Sequence, residues 1–442
     1  AIATVCAGTL EGWTSPALPY LQQNETGTLA ITDVEASWIG SLGGLGALFG
    51  SLPAGLLADK IGRKSVLLGV TLPYLMGWII IILARKSVIM LYSGRFILGL
   101  ATGASTVVVP LYAEEISETS IRGELGSYTD LSITVGILYV YAFGTFVPYT
   151  WLCISCLVLP LVFAVTFFWM PESPMYLLSK GRKFEAEKSL RWLRNISTLD
   201  TASDTKTEFD KMEESSNESC DNSKFFIKFT ASSLVLKSLR LVLALMVFEQ
   251  LTGTNAVDFY TVDIFEAADS TLSPYYCTLI VGVVQVIATF IAALLMDRLG
   301  RRFLLIVSSL GMAISLFVLS GFSLTKDQGG DVSSVNWIPL LGLNLYTVCF
   351  SIGFGPVPWI ITVELCTSET VGWISSLATS VNWGMIFLMT KVFILVLKAW
   401  GQAVTYGILC VLCVCASVFV FTCIPETRGK SRHEIQAILS GK

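Results

Sequence analysis

Charge is scarce in this chain of 442 residues: Asp, Glu, Lys and Arg make up 14% of it, against 53% apolar residues. A water-facing domain needs a charged coat, so the scarcity excludes an ordinary soluble globule and points to a surface that meets lipid. Histidine is nearly missing too. The single one, His433, lies in the C-terminal tail. This excludes an H-x-x-E-H hydrolase and a histidine relay within the apolar segments, and the acids are scattered over different segments rather than clustered. An enzyme, a metal site and a cofactor are therefore not expected. The net charge of −4 carries no sign of a nucleic-acid partner. The chain opens on Ala1, in an apolar run and without Met, so a preceding segment with any targeting signal is expected outside this numbering.

What fills the sequence is uncharged apolar length. A bilayer core about 30 Å thick is crossed by roughly 20 helical residues. Residues 65–84, 96–113, 275–296, 303–322, 337–363, 371–390 and 405–424 meet that length without a charge, and 131–171 fits two spans broken near Pro148. The sequence predicts twelve spans, near 1–21, 37–58, 65–84, 88–113, 123–147, 150–170, 235–265, 274–296, 303–322, 335–363, 371–396 and 402–424. The expected units are a six-helix bundle over 1–171, a polar segment over 172–234, a second six-helix bundle over 235–424 and a tail over 425–442. Within the polar segment 180–194 reads as a short amphipathic helix and 195–224 as a solvated linker. Of eleven cysteines, Cys153/Cys156 and Cys410/Cys413 have C-x-x-C spacing but lie in apolar runs, where they read as small packing residues.

Short loops set the orientation. Lys60, Arg63 and Lys64 follow the second span and Arg298, Arg301 and Arg302 the eighth, whereas the loop over 22–36 has acids but no Lys or Arg. Both termini and the polar segment are thus expected in the cytoplasm of a plasma-membrane protein; Arg85 and Lys86 vote the other way. Asn24-Glu25-Thr26 is a glycosylation sequon on the outer loop.

The halves repeat. Asp59-Lys60-Ile61-Gly62-Arg63-Lys64 returns as Asp297-Arg298-Leu299-Gly300-Arg301-Arg302, and Pro171-Glu172-Ser173 as Pro425-Glu426-Thr427. Glu115 and Glu364 close the fourth and tenth spans. Such a duplication places a substrate site between the halves. Together with Gly94-Arg95-Phe96, Pro110 through Glu115, Arg122-Gly123, Pro174, Gln250 through Val257, Gly355 through Trp359, Asn382-Trp383 and Pro425 through Gly429, these residues resemble the sugar porter family of the major facilitator superfamily over nearly the whole chain. Thr14 through Leu18 adds a likeness to its insect facilitated trehalose transporters.

The resemblance implies an all-α membrane protein of twelve transmembrane helices, two six-helix bundles related by a pseudo-two-fold repeat with a cytoplasmic helical loop. It implies sugar ligands at Gln250, Asn255, Gln285, Trp359 and Asn382, with Trp383 nearby and Phe259 and Tyr260 as an outer lid. It also implies a cytoplasmic lattice of Asp59, Arg63, Arg95, Glu115, Arg122, Glu172, Asp297, Arg301, Arg302, Glu364 and Glu426. The chemistry is sound: amides donate and accept as sugar hydroxyls do, and indole offers an apolar wall with one N–H. The expected function is uniport of a sugar, trehalose or a hexose, by a monomer in the bilayer.

Departures keep alternatives open. Glu11, Asp130, Glu249 and Asp258 are acids within spans, where a charge costs roughly 2.5–3.5 kcal/mol on insertion scales. Asp130 and Glu249 stand where the family typically has glutamine, so they are candidate substrate ligands, or proton-coupling groups, or a lining for a cationic solute. Met175, Ser351 and Val371 replace polar or basic residues usual in the lattice. This predicts a weaker inner gate in the second half and a resting preference for inward-facing states.

Overall fold

The computed structural model describes residues 1–23, 31–84, 87–117, 122–194, 209, 212, 233–268, 272–296, 299–330, 332–366, 370–430 and 432–440. Asn24, Asp297 and most of the linker lie outside them, as does the side chain of Arg122. The described residues are helical with no strand, as hydrocarbon demands: each N–H and C=O needs a partner in its own segment, and only a helix supplies one.

Among the described residues, nine helices are long and apolar enough to cross a membrane. One of them, Val371–Cys423, holds the predicted eleventh and twelfth spans, merged across a kink at Gly401, whose φ of 79° is in the left-handed region. Two further crossings are built from shorter pieces. The first span is Ile2–Gly12 followed by Thr14–Gln23, which contains Pro16 and Pro19; the seventh is Ser233–Leu251, Thr254–Phe259 and Thr261–Ala268. The second and fourth spans are Asp33–Ile61 and Val88–Ile116, with Arg63–Gly69 and Thr71–Leu83 as the third. Arg122–Phe146 and Tyr149–Phe167 are the fifth and sixth, meeting at Pro148 as expected. Pro274–Leu295 and Arg301–Asp327 are the eighth and ninth, and Ile338–Ile352 with Val357–Leu365 the tenth. In the polar segment Pro174–Ser179 and Lys183–Leu193 are helical, and Arg432–Ser440 forms a tail helix.

The packing repeats as the sequence does. Span two lies on four, one on five, and three on four and six; in the second half, eight lies on ten, seven on eleven, and nine on ten and twelve. The halves join along two seams related by the same repeat, span two on eleven and span eight on five. Small residues bring the backbones together. A Cβ on Gly46 or Gly50 would overlap the carbonyls of Phe96 or Leu100, and one on Gly8 the carbonyl of Ile133.

At the end carrying the D-x-x-G-R-[RK] loops, here the motif end, each half is closed by a glutamate on a helix start. Glu172 Oε1 accepts from the Lys64 amide at 3.0 Å; Glu426 accepts from the Arg301 and Arg302 amides at 3.0 and 3.2 Å. Backbone N–H groups at a helix start are unsatisfied and carry partial positive charge, so a carboxylate there answers both needs. The glycine is required by the same contact: a Cβ on Gly62 or Gly300 would overlap the glutamate's Oε2. Gly62 also has φ 103° and ψ 152°, a conformation essentially reserved for glycine. Gly62→Ala is expected to lower stability by about 1–3 kcal/mol. Gly69→Ala, where a Cβ meets nothing within 4 Å, should leave the detergent-solubilised melting midpoint level or raise it. Equal midpoints for the two variants would show that the glutamate staple does not hold this turn.

Candidate substrate cavity between the halves

The seventh span breaks where the polar residues gather. Leu251 ends its first helix, Gly253 turns with φ 92°, and the chain resumes at Thr254. A second break at Tyr260 precedes the last helix. The hydroxyl of Tyr346 on span ten donates to the Thr252 carbonyl at 2.9 Å, which meets part of the need the break creates.

Around the break the amides form a chain. Asn255 Nδ2 donates to Gln250 Oε1 at 2.8 Å, and Gln250 Nε2 points to Asn382 Oδ1 at 3.4 Å and to Glu249 Oε1 at 3.5 Å. Further along, Gln285 Nε2 donates to Asp258 Oδ2 at 3.4 Å. The Gln250 and Gln285 donors are long, at 3.4–3.5 Å, while Asn255 is held firmly, and Glu249 Oε2 and Gln285 Oε1 are buried with no hydrogen-bond partner. Trp359 is half-buried within reach of the Glu249 carboxyl. Trp383 is different: its indole N–H donates to Thr106 Oγ1 at 3.3 Å, so it bridges span eleven to span four in the other half.

Glu11, Asp130, Glu249 and Asp258 face one region. Glu11 lies within electrostatic reach of Asp258 and Asp130, and Glu249 of Asp130. The cation nearest Glu11 is Arg95, which is fully buried, and the structure corrects its assignment to the cytoplasmic lattice. Arg95 sits 20 residues before Glu115 on one helix, about 30 Å away at 1.5 Å per residue. Its guanidinium donates to the carbonyls of Ile39 at 3.0 Å, Leu10 at 2.8 Å and Gly40 at 3.5 Å, and lies over the Trp13 ring. It ties spans one and two together near the opposite end.

Among the described residues, Asp59, Arg63, Glu115, Arg301, Arg302 and Glu364 make these bonds at the motif end, each within its own half. Arg63 pairs with Asp59 and Glu115 at 2.9 Å and donates to the Ala58 carbonyl. Arg301 pairs with Glu364 at 3.4 Å and donates to the Met296 carbonyl. Arg302 donates to the Phe421 carbonyl and covers that ring. The Arg301–Glu364 spacing of 3.4 Å is wider than the 2.9 Å of Arg63–Glu115.

At the opposite end, contacts within the second half and contacts between the halves meet. Tyr260 stacks on Phe393, donates to the Thr390 carbonyl at 3.2 Å and fills the space beside Gly40, where a Cβ would lie 2.6 Å from its oxygen. Phe259 is buried beside it in sequence. Lys391 Nζ donates to Ser37 Oγ at 2.6 Å and sits 3.8 Å from the Trp38 ring centroid; Lys398 pairs with Asp33 at 3.0 Å. Ser51 meets Ser380 at 3.2 Å further along the same seam. Tyr141 of span five donates to the Asp258 carbonyl at 2.7 Å. The sequence reading missed these bridges. A lone lysine inside span eleven was the visible signal for Lys391; Ser37, Thr106 and Tyr141 had none.

Similarity follows the geometry. The family model described as "Sugar (and other) transporter" matches residues 12–439. A facilitated trehalose transporter of Aedes aegypti is 35% identical over 441 residues, covering 100% of this chain and 54% of that protein. Its Culex quinquefasciatus counterpart is 35% identical over 100% of this chain and 84% of its own length, and that of Apis mellifera ligustica 36% identical over 100% and 86%. This chain thus spans about half of the Aedes relative. The E. coli xylose transporter in its inward-open conformation superposes with a TM-score of 0.79 at 21% identity, over 99% of this chain and 98% of that one. A proton:xylose symporter bound to 6-bromo-6-deoxy-D-glucose gives 0.77 at 22%, over 99% and 98%.

Arg95→Lys keeps the charge but loses the planar fork that reaches two spans. It should lower stability by about 1.5–3 kcal/mol, the worth of hydrogen bonds to a charged group. An unchanged melting midpoint in detergent would show that the guanidinium does not tie spans one and two.

Proposed function

The chain belongs to the sugar transporter family, and on that premise we propose that it is a uniporter that carries a neutral sugar, trehalose or a hexose, by alternating access. The observation that carries this reading is the amide chain of Gln250, Asn255 and Asn382, with a long Gln250–Asn382 link, beside buried acceptors on Glu249 and Gln285 that lack a partner. Buried polar atoms are normally satisfied, so unpaired acceptors at a break between two mobile halves suit a hydroxyl-rich guest. Trp359 supplies an apolar wall, and Asp130 a further acceptor from the first half. Trp383 acts here as a bridge to Thr106 more than as a ligand.

In this reading Tyr260, with Phe259, closes the outer side, helped by Lys391 and Lys398, while Asp59, Arg63, Glu115, Arg122 and Glu172 keep the first half rigid at the cytoplasmic side. Asp297, Arg301, Arg302, Glu364 and Glu426 do the same for the second. Both termini then face the cytoplasm of a plasma-membrane protein, with Asn24 on the outer loop available for glycosylation. The protein works as a monomer without a cofactor. The inter-half contacts of Tyr260, Lys391 and Lys398 at the opposite end favour an inward-facing resting state.

A second reading has its own observation. Glu11, Asp130, Glu249 and Asp258 lie within the spans around one region, and Arg95, within reach of Glu11, is committed to backbone carbonyls. An uncompensated buried carboxylate is costly, so one of the acids could instead take up a proton and couple it to sugar movement, or the cavity could admit a cationic organic solute.

Uptake of radiolabelled trehalose and glucose into proteoliposomes separates these readings. Saturable uptake insensitive to a pH gradient is expected. Accumulation driven by an inward proton gradient would establish symport, and no uptake of either sugar would move a cationic solute to the front. Gln250→Ala should cut kcat/KM at least tenfold, the equivalent of about 1.4 kcal/mol; unchanged kinetics would remove the amide chain from the site.

Lys391→Ala removes a cation–π contact worth about 0.5–2 kcal/mol across the seam. Cysteine labels placed in the outer and inner cavities should report a severalfold gain in outer reactivity without substrate. No change would show that this contact does not hold the outer side shut.

A further inference from the structure

We propose that Asp263 is a positioning residue for opening the outer side: Lys398 leaves Asp33 of the first half and moves to Asp263 of its own half, so that one lysine serves two acids in turn. The inference rests on the reading of the chain as an alternating-access carrier and adds a residue to its outer gate.

Position comes first. Lys398 follows Lys391 by two helical turns on span eleven, so both lysines fall on one face of that helix. Lys398 pairs with Asp33 at 3.0 Å across the seam. Asp263 belongs to Thr261–Ala268, the last helix of span seven, and two contacts bracket it against the stretch of chain that carries Lys398. Tyr260, one turn before Asp263, stacks on Phe393, and the carbonyl of Ile264, the next residue, accepts from Gln402 Nε2 at 3.0 Å. Lys398 falls between Phe393 and Gln402, and Asp263 lies within its electrostatic reach.

Chemistry comes second. Asp263 Oδ2 is buried with no hydrogen-bond partner, so this acid has an acceptor waiting for a donor. Asp33 is better supplied. Gln22 Nε2 also donates to its Oδ1 at 3.0 Å, and the residue opens span two, where a helix start favours a carboxylate. Asp33 therefore tolerates the loss of Lys398, whereas Asp263 gains from its arrival. The Lys398 and Asp33 side chains are 52% and 51% exposed, and a pair of this kind is weak enough to break. An ammonium on a flexible four-carbon stem can turn from one acid to the other. Glu266, one turn beyond Asp263, is exposed and adds negative charge on the same side.

Coupling comes third. Asp33 and Gln22 belong to the first half and Asp263 to the second, so the first pairing fastens the seam and the second releases it. Without Asp263 the lysine would leave Asp33 for water alone. With it, Lys398 stays paired on both sides of the exchange, and the free-energy gap between closed and open outer sides narrows. Neither acid is recorded in contact with Gln250, Asn255 or Asn382 among the described residues. The exchange therefore acts on the rate of opening and leaves the affinity for the guest alone.

The test uses the full chain in proteoliposomes with one cysteine introduced in the outer cavity. Its maleimide labelling rate is read without substrate, beside uptake of trehalose and glucose. Asp263→Asn is expected to lower outer labelling at least threefold and kcat by a similar factor, while KM stays within twofold. Asp263→Glu, which keeps the acid, should retain at least half of the wild-type labelling rate and kcat. In a Lys398→Gln background Asp263→Asn should change neither, because the acid acts through the lysine. Asp263→Ser takes its place if the asparagine variant loses its monodisperse profile in detergent. No fall in labelling, or the same fall with and without Lys398, would overturn the exchange and leave sugar transport standing. A wild type that carries neither sugar would instead overturn the functional reading beneath it, and the labelling rates would still decide the exchange.

Discussion

Hydrocarbon tolerates a broken helix only where protein or a water-filled cavity can satisfy the freed backbone groups. The break of span seven at Gly253 and Tyr260 is the constraint on which the rest of this molecule depends. It turns Gln250, Asn255 and Asp258 toward one region, it calls for the Tyr346 hydroxyl on the Thr252 carbonyl, and it delivers Tyr260 to the seam between the halves. A continuous helix would keep a strict 3.6-residue period and could not serve both the amide chain and the far seam. The positive φ of Gly253 makes the turn cheap for glycine, and a Cβ there would also press on Leu409.

The two ends of the molecule use different physics. At the motif end the charges are paired within each half, and a carboxylate on helix-start amides is a compact bond that no motion between halves needs to break. At the opposite end bonds cross the seam and are of kinds that reform easily: a half-exposed ion pair, an ammonium on an indole face, the Tyr141 hydroxyl on the Asp258 carbonyl. Exposed pairs of this sort are worth about 1 kcal/mol or less. Rigid halves with a weakly fastened seam are what rocking motion requires.

Much of this was legible in the sequence, and the reasons are physical. Span number, the six-plus-six organisation and the turn motifs follow from the length of uncharged runs and from glycine and charge at fixed offsets, which are local properties. Glu172 and Glu426 were found because each repeats a pattern. Arg95 was misplaced because motif proximity to Gly94 and Phe96 says nothing about depth; 20 helical residues separate it from Glu115. Spans eleven and twelve were legible as two helices because Gly401, with its left-handed φ of 79°, breaks the helical backbone between them. Cross-half partners such as Tyr141–Asp258 and Trp383–Thr106 depend on which helices the repeat brings together, and no local pattern encodes that.

The acids pose the sharpest constraint on mechanism. Four carboxyl groups share one region, and the buried guanidinium within reach of Glu11 is already bound to three carbonyls. A carboxyl group that accepts from a sugar hydroxyl gains a partner only while the sugar is bound; in the empty carrier it must be hydrated, protonated or paired with a neighbouring amide. Gln285 on Asp258 and Gln250 on Glu249 are such amides, and both bonds are long, at 3.4 and 3.5 Å. On the proposed reading the amides act as placeholders: they hold the acids tolerably in the empty state and can be displaced by better donors. That exchange lets a site lined by acids bind a neutral guest without requiring a cation, because the net change on binding is between two sets of hydrogen bonds rather than between a paired and an unpaired charge.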